Sequence, residues 1–174
     1  SGADFRNTNL VFANLHEVDL SGADLREADL SGATLVGANL ANANLSRAKL
    51  IGANLTEADL GGVMLNYADM SGANLNRANL TNVNLTSTRL RGVQLEGAYL
   101  TGANLSGLDM AGARLANAII KEANLSGTNL AGASLSLADL SGADLSGSNL
   151  IGAWLNESNL TDASLQYAAL ALIR

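Results

Sequence analysis

Apolar side chains return every five residues along this chain. Every position divisible by five from Phe5 to Leu170 is apolar, thirty of them Leu and the others Phe5, Met70, Met110 and Ile120, so 34 five-residue units run on without an insertion. Two residues earlier stands Ala in 24 units, and between the two stands Asp or Asn in 22, as in Ala23-Asp24-Leu25. The exceptions at the Ala position are Thr8, Val18, Val63, Val83, Thr88, Val93, Thr128, Ser148 and Ser158, small or β-branched, and Leu108. Five matches neither the helix nor the strand period. A helix would spiral the leucines around all its sides, and a flat strand would alternate them between faces. Each unit reads instead as a short extended side, small-in, polar-out, Leu-in, followed by a two-residue corner.

If each corner turns the chain by a quarter, four units close one coil and every leucine points at one axis. Glycine tests this independently, because 17 of its 18 occurrences fall two residues after the Leu position. That is where a type II turn requires φ > 0, a conformation free to Gly and tolerated by Asn and Asp. One corner, taken at every fourth unit, reads Phe12, Gly32, Gly52, Gly72, Gly92, Gly112, Gly132, Gly152; another reads Gly2, Gly22, Asn42, Gly62, Asn82, Gly102, Glu122, Gly142, Asp162. A four-unit modulation thus overlies the five-residue repeat.

The run Ala-(Asp/Asn)-Leu-x-x, seen again in Ala73-Asn74-Leu75, resembles the pentapeptide repeat family over essentially the whole chain. The resemblance implies an all-β solenoid, a right-handed quadrilateral β-helix with four pentapeptides per coil and about 8.5 coils. At ~4.8 Å between stacked strands the rod would be ~40 Å long. A lone coil cannot fold, so stability must come from stacking between neighbours. Residues 1–174 are therefore expected to form one domain, in register over 1–170.

The absences narrow the chemistry. Without Cys there is neither a disulfide nor a thiolate site, and the absence of Pro fits a backbone whose amides are needed in ladders. No apolar run approaches the ~20 residues of a membrane span and nothing resembles a signal peptide, so a soluble protein is expected, with bacterial cytoplasm and a thylakoid-type compartment both open. The chain starts in register at Ser1 without Met, as a trimmed or processed form would. The single histidine, His16, falls on an outward corner beside Glu17, and the regular Asp positions project from a convex rod. Such a surface lacks the concave, desolvated setting that shifts pKa values and builds a site. No enzyme activity, catalytic residue, cofactor or metal is expected.

The outward positions have a structural reading first. Residues four units apart should stack one strand spacing away, and one such column reads Asn9, Asp29, Lys49, Asp69, Arg89, Asp109, Asn129, Asn149. Its middle alternates acid and base. A second column, Asp19, Asn39, Asp59, Asn79, places Asn between carboxylates. Asp4 above Asp24 is the like-charge exception. Only four of the Asp/Asn-type positions carry a large apolar side chain: Met64, Tyr99, Ile119 and Trp154. Tyr99 and Ile119 stack in one column, while Gln94, Arg114, Ser134 and Trp154 share the neighbouring one, with Arg91 and Ile151 on the preceding corner. Tyr, Trp and Arg dominate interface hot spots. Arg91, Tyr99, Arg114, Ile119, Ile151 and Trp154 are thus the candidate patch for an unidentified protein partner.

The C-terminal stretch Tyr-Ala-Ala-Leu-Ala-Leu-Ile-Arg departs from the repeat. Tyr167, Leu170, Leu172 and Ile173 are expected either to cap the last coil or to meet their equivalents in a homodimer. The net charge of −6 is uneven: eight acids and four bases in residues 1–60, three and four in 61–120, five and two in 121–174. This disfavours direct nucleic-acid binding, which needs a basic surface. Some bacterial members of the family it resembles mimic a DNA duplex and bind DNA gyrase. The leading expectation is a non-enzymatic scaffold or protein-interaction module, and gyrase targeting is the alternative.

Overall fold

The computed structural model describes residues 2–174. The chain is a β-solenoid in which each short extended side pairs in parallel with the side four units on, from Asp4–Asp24 through Asn149–Ala169. Four columns of pairs result, here called the first face (Asp4, Asp24), the second (Asn9, Asp29), the third (Asn14, Thr34) and the fourth (Asp19, Asn39). Two ladder bonds recur at the regular pairs. On the fourth face the Leu40 amide donates to the Asp59 carbonyl (2.8 Å), and the Asp59 amide donates to the Ala38 carbonyl (3.0 Å).

The corners form as the glycine register requires. The Ala23 amide closes a turn on the Leu20 carbonyl at 3.0 Å, and Gly22 between them has φ of 62°. Every second corner residue from Gly2 to Leu172 has positive φ except Ser87. Glu17, Arg47, Tyr67 and Leu137 take that conformation without glycine's freedom, at a cost of ~1 kcal/mol each. None of the non-glycine residues in that conformation is β-branched.

The leucines and alanines form one continuous buried cluster from Leu20 to Ala153. At its N-terminal edge Phe5, Leu10 and Leu15 are only partly buried, and at the other edge Leu155, Leu160 and Leu165 are likewise. The C-terminal stretch does not fold over that end as a cap. It continues the coil: the Gly152 amide donates to the Ala171 carbonyl (2.9 Å) and the Arg174 amide to the Ala153 carbonyl (3.0 Å). The corner-and-side rhythm holds through Leu170, and the ladder draws the remaining residues along. Tyr167, Leu170, Leu172 and Ile173 are consequently exposed.

The ladder is interrupted at two places. The Met64–Asn84 and Arg89–Asp109 pairs are missing from columns otherwise regular. At each gap two stacked positions that are usually Ala carry larger side chains, Val63 with Val83 and Thr88 with Leu108. Between them lies Ser87, the one second corner residue without the left-handed conformation. Bulk at these positions accompanies the gaps without being sufficient for them, since Leu108 also stacks with Thr128, where the Asn129 amide still reaches the Leu108 carbonyl at 2.8 Å.

Candidate interaction surface

The outward Asp and Asn side chains do more than stack. At corner after corner the Oδ1 atom accepts the amide two residues on, as from Ser31 to Asp29 (3.1 Å), Thr56 to Asn54 (3.2 Å) and Thr161 to Asn159 (3.1 Å). Where that residue is Ser or Thr its hydroxyl often donates to the same oxygen, at 2.6 Å for Ser31 on Asp29. These Asx turns cap the corners. Stacking in columns is therefore only part of the reason for the Asp/Asn preference. The signal in the sequence is the constant offset of two between Asp/Asn and the first corner residue.

The columns themselves are present. Asn79 Nδ2 donates to Asp59 at 2.9 Å and Asn129 Nδ2 to Asp109 at 2.8 Å. Lys49 lies 3.6 Å from Asp29, Arg89 3.4 Å from Asp69 and Arg77 3.3 Å from Glu57. The like-charge pair Asp4 and Asp24 is neutralised from the corners. Arg6 bonds Asp4 at 2.7 Å and approaches Asp24 to 3.7 Å, while Arg26 bonds Asp24 at 2.6 Å. Hydrogen bonds from the Arg6 side chain and amide, with its charge, hold the Asp4 carboxyl down at about 2. The side-chain bond from Arg26 lowers Asp24 in the same way, and the Ser31 side chain and amide lower Asp29. Lys49 and Arg89 therefore serve the stack.

The candidate patch is assembled as the coil register requires. Tyr99 pairs with Ile119 on the fourth face, and Gln94 with Arg114 and Ser134 with Trp154 on the third. Tyr99 and Trp154 are nearly half exposed (48% and 46%), Ile151 is exposed, Arg91 and Arg114 are exposed, and Ile119 is half-buried. The Arg174 guanidinium lies 4.9 Å from the centre of the Trp154 ring, a cation–π contact the sequence did not announce. Met64, also exposed, stands apart on the first face. His16 approaches Glu17 at 3.6 Å on an open corner.

Two clefts mark the surface. One of about 380 Å³ lies among Thr56, Asn76, Arg77 and Glu96, where Asn76 Oδ1 accepts the Glu96 amide at 2.8 Å. The other, of about 250 Å³, is lined by Thr88, Arg89, Leu90, Arg91, Leu108 and Asp109 and is the second ladder gap. Among the described residues no three His, Cys, Asp or Glu side chains gather closely enough to hold a metal ion, and no helix is long and apolar enough to cross a membrane.

The chain belongs to the pentapeptide repeat family: the family model matches in eight copies between residues 1 and 171. Among solved structures it is similar to HetL, a pentapeptide repeat protein involved in heterocyst differentiation regulation from the cyanobacterium Nostoc sp. strain PCC 7120. The identity is 36%, over 97% of this chain and 83% of that one, with a TM-score of 0.37. It is also similar to a trypsin-treated form of QnrB1, a plasmid-mediated fluoroquinolone resistance protein, at 19% identity over 98% and 85% with a TM-score of 0.51. A third likeness is to a pentapeptide repeat protein of the Arabidopsis thaliana thylakoid lumen, 28% identical over 63% and 70% with a TM-score of 0.35. A search of the curated proteins finds no match.

Proposed function

We propose that this rod is a non-enzymatic interaction module that presents Tyr99, Ile119, Arg114 and Trp154, with Arg91 and Ile151 beside them, to a protein partner. One observation carries the reading. At Tyr99, Ile119 and Trp154 the chain forgoes the Asx bond that caps most other corners, so each residue sacrifices ~0.5–1.5 kcal/mol of local stabilisation. Side chains kept at a structural cost, on adjoining faces and rich in Tyr, Trp and Arg, fit a binding surface. The finer geometry belongs to the same proposal: a right-handed quadrilateral coil of about 8.5 turns, supported by parallel pairing on four faces at an offset of four units. So does the domain reading, one unit across 1–174, supported by the continuous core.

The test compares wild type with Tyr99→Asn/Trp154→Asn for retention of a cellular protein partner, with the fold verified by circular dichroism. Loss of that partner from the double variant is expected; equal retention by both overturns the patch.

Gyrase targeting stands as the second reading, favoured by the QnrB1-like fold. A duplex mimic needs an uninterrupted negative surface. Here Glu27, Asp29, Glu57 and Asp69 each meet a cation on the next coil, which weighs for the scaffold reading. A supercoiling assay with and without a quinolone decides it, inhibition or drug rescue at stoichiometric protein being the gyrase outcome. Exposed Tyr167, Leu170, Leu172 and Ile173 are proposed as a homodimer contact, tested by sedimentation of wild type against Leu172→Asp.

A further inference from the structure

Resting on the partner reading and sharpening it, we infer that the cleft at the second ladder gap, beside Arg91 and with Arg114 on the adjoining face, binds a carboxylate-rich segment of the partner. Four observations converge there. Among the described residues, seven of the cations, Arg6 through Lys121, have a carboxylate within 4 Å, and Arg174 lies over Trp154. Arg91 and Arg114 alone have neither. Arg91 opens the corner that leads to the third face, and Arg114 stands on that face one coil on.

The second residue of that corner is Gly on four coils in succession. Nothing lies within 4 Å of where a Cβ would sit on Gly72, Gly92, Gly112 or Gly132, so a partner chain can approach the backbone closely along this edge.

The ladder is open at the same place. In the uninterrupted coil, Met70 and Gly72 donate to the Arg89 and Arg91 carbonyls at 2.9 and 2.8 Å. One coil on, the equivalent bonds from Leu90 to Asp109 and from Gly92 to Ala111 are not made. Leu90 lines the 250 Å³ cleft together with Arg91, and Gly92 follows directly on that corner. Amide donors flanked by arginine are a recurrent carboxylate-binding arrangement. The carboxylate already there, Asp109, is occupied by Asn129 Nδ2 at 2.8 Å.

Charge is also polarised in this half of the rod. From residue 81 onward, the second and third faces with their shared corner carry Arg89, Arg91, Arg114 and Arg174 against one acid, Asp109. The remaining faces and corners carry six acids and one lysine. A long polyanion such as a duplex would meet that acidic remainder, whereas a short acidic protein segment fits the positive strip alone.

The experiment is an amide NMR titration of the intact chain with an octaglutamate peptide. Shifts concentrated at Leu90, Gly92, Asp109, Gly112 and Arg114 are expected, with affinity falling about ten-fold or more in Arg91→Glu/Arg114→Glu. No saturable shift, shifts spread evenly over the rod, or unchanged affinity in the charge-reversed variant would overturn the inference. So would tighter binding of a single-stranded oligonucleotide than of the peptide. If octaglutamate fails while partner retention still depends on Tyr99 and Trp154, the partner reading survives and only its acidic chemistry falls.

Discussion

Thr88 and Leu108 stack on adjoining coils in the core, both nearly buried (6% and 7% exposed), and the ladder bond from the Asp109 amide to the Thr88 carbonyl is not made between them. The equivalent bond one coil earlier, Arg89 to Ala68, is 3.0 Å. A branched Leu side chain stands where the spacing suits the methyl group of Ala. The Leu90, Gly92 and Asp109 amides should therefore exchange with solvent about ten-fold or more faster than Met70, Gly72 and Arg89. Site-resolved hydrogen exchange measures this, and equal protection at the two sets would show the ladder to be closed.

Ser148 occupies an Ala position at 1% exposure, and its hydroxyl has no hydrogen-bond partner. The other buried polar residues do better: Thr88 donates to the Leu85 carbonyl at 2.6 Å and Thr128 to the Leu105 carbonyl at 2.9 Å. Ser148→Ala removes an unsatisfied buried group without leaving a cavity, and should raise stability by ~1 kcal/mol in urea unfolding. Thr128→Ala should lower it.

The N-terminal ion pairs resist acid. Asp4 is held at about 2, below its ordinary 3.8, first by the Arg6 side chain. A carboxyl depressed in the folded state contributes stability in full above its unfolded value, and that contribution is lost as pH falls through the folded one. The window thus runs from the ordinary 3.8 down to about 2. Titration of the Asp4 carboxyl by NMR should place its midpoint near the lower value in wild type and shift it upward in Arg6→Ala, short of the ordinary value because the residue 6 amide still donates to it at 3.1 Å.

Tyr99→Asn restores the sequence rule and supplies an oxygen for the Thr101 amide, as Asn159 does for Thr161 at 3.1 Å. The variant should be as stable as wild type or gain ~0.5–1.5 kcal/mol. A loss beyond ~1 kcal/mol in equilibrium unfolding would mean that Tyr99 serves the fold.

The coil was legible because its determinants are local and repeated. The five-residue return of Leu and the glycine offset each specify the corner, and the positive φ at Gly22 and Gly152 is the conformation that offset demands. The charge columns at Asp29–Lys49 and Asp59–Asn79 followed from the same register. Three features did not. The ladder gaps fall where Thr88 stacks with Leu108 and Val63 with Val83, a relation between coils that no single unit carries. Arg6 reaching from Asp4 to Asp24 is a matter of side-chain geometry at a corner. The C-terminal stretch reads as either a cap or a dimer contact because its apolar residues crowd together, and it takes the backbone pairing from Arg174 to Ala153, which keeps it in the coil, to set the cap aside. For the candidate patch, residue placement was legible and chemistry was not: the cation–π contact of Arg174 with Trp154 needs the last coil in place.

The most direct test of the account is partner retention by Tyr99→Asn/Trp154→Asn beside wild type, since it separates side chains kept for binding from those kept for folding. The double variant is expected to fold and to release a protein which wild type holds. A folded double variant holding the same protein as tightly as wild type would contradict it.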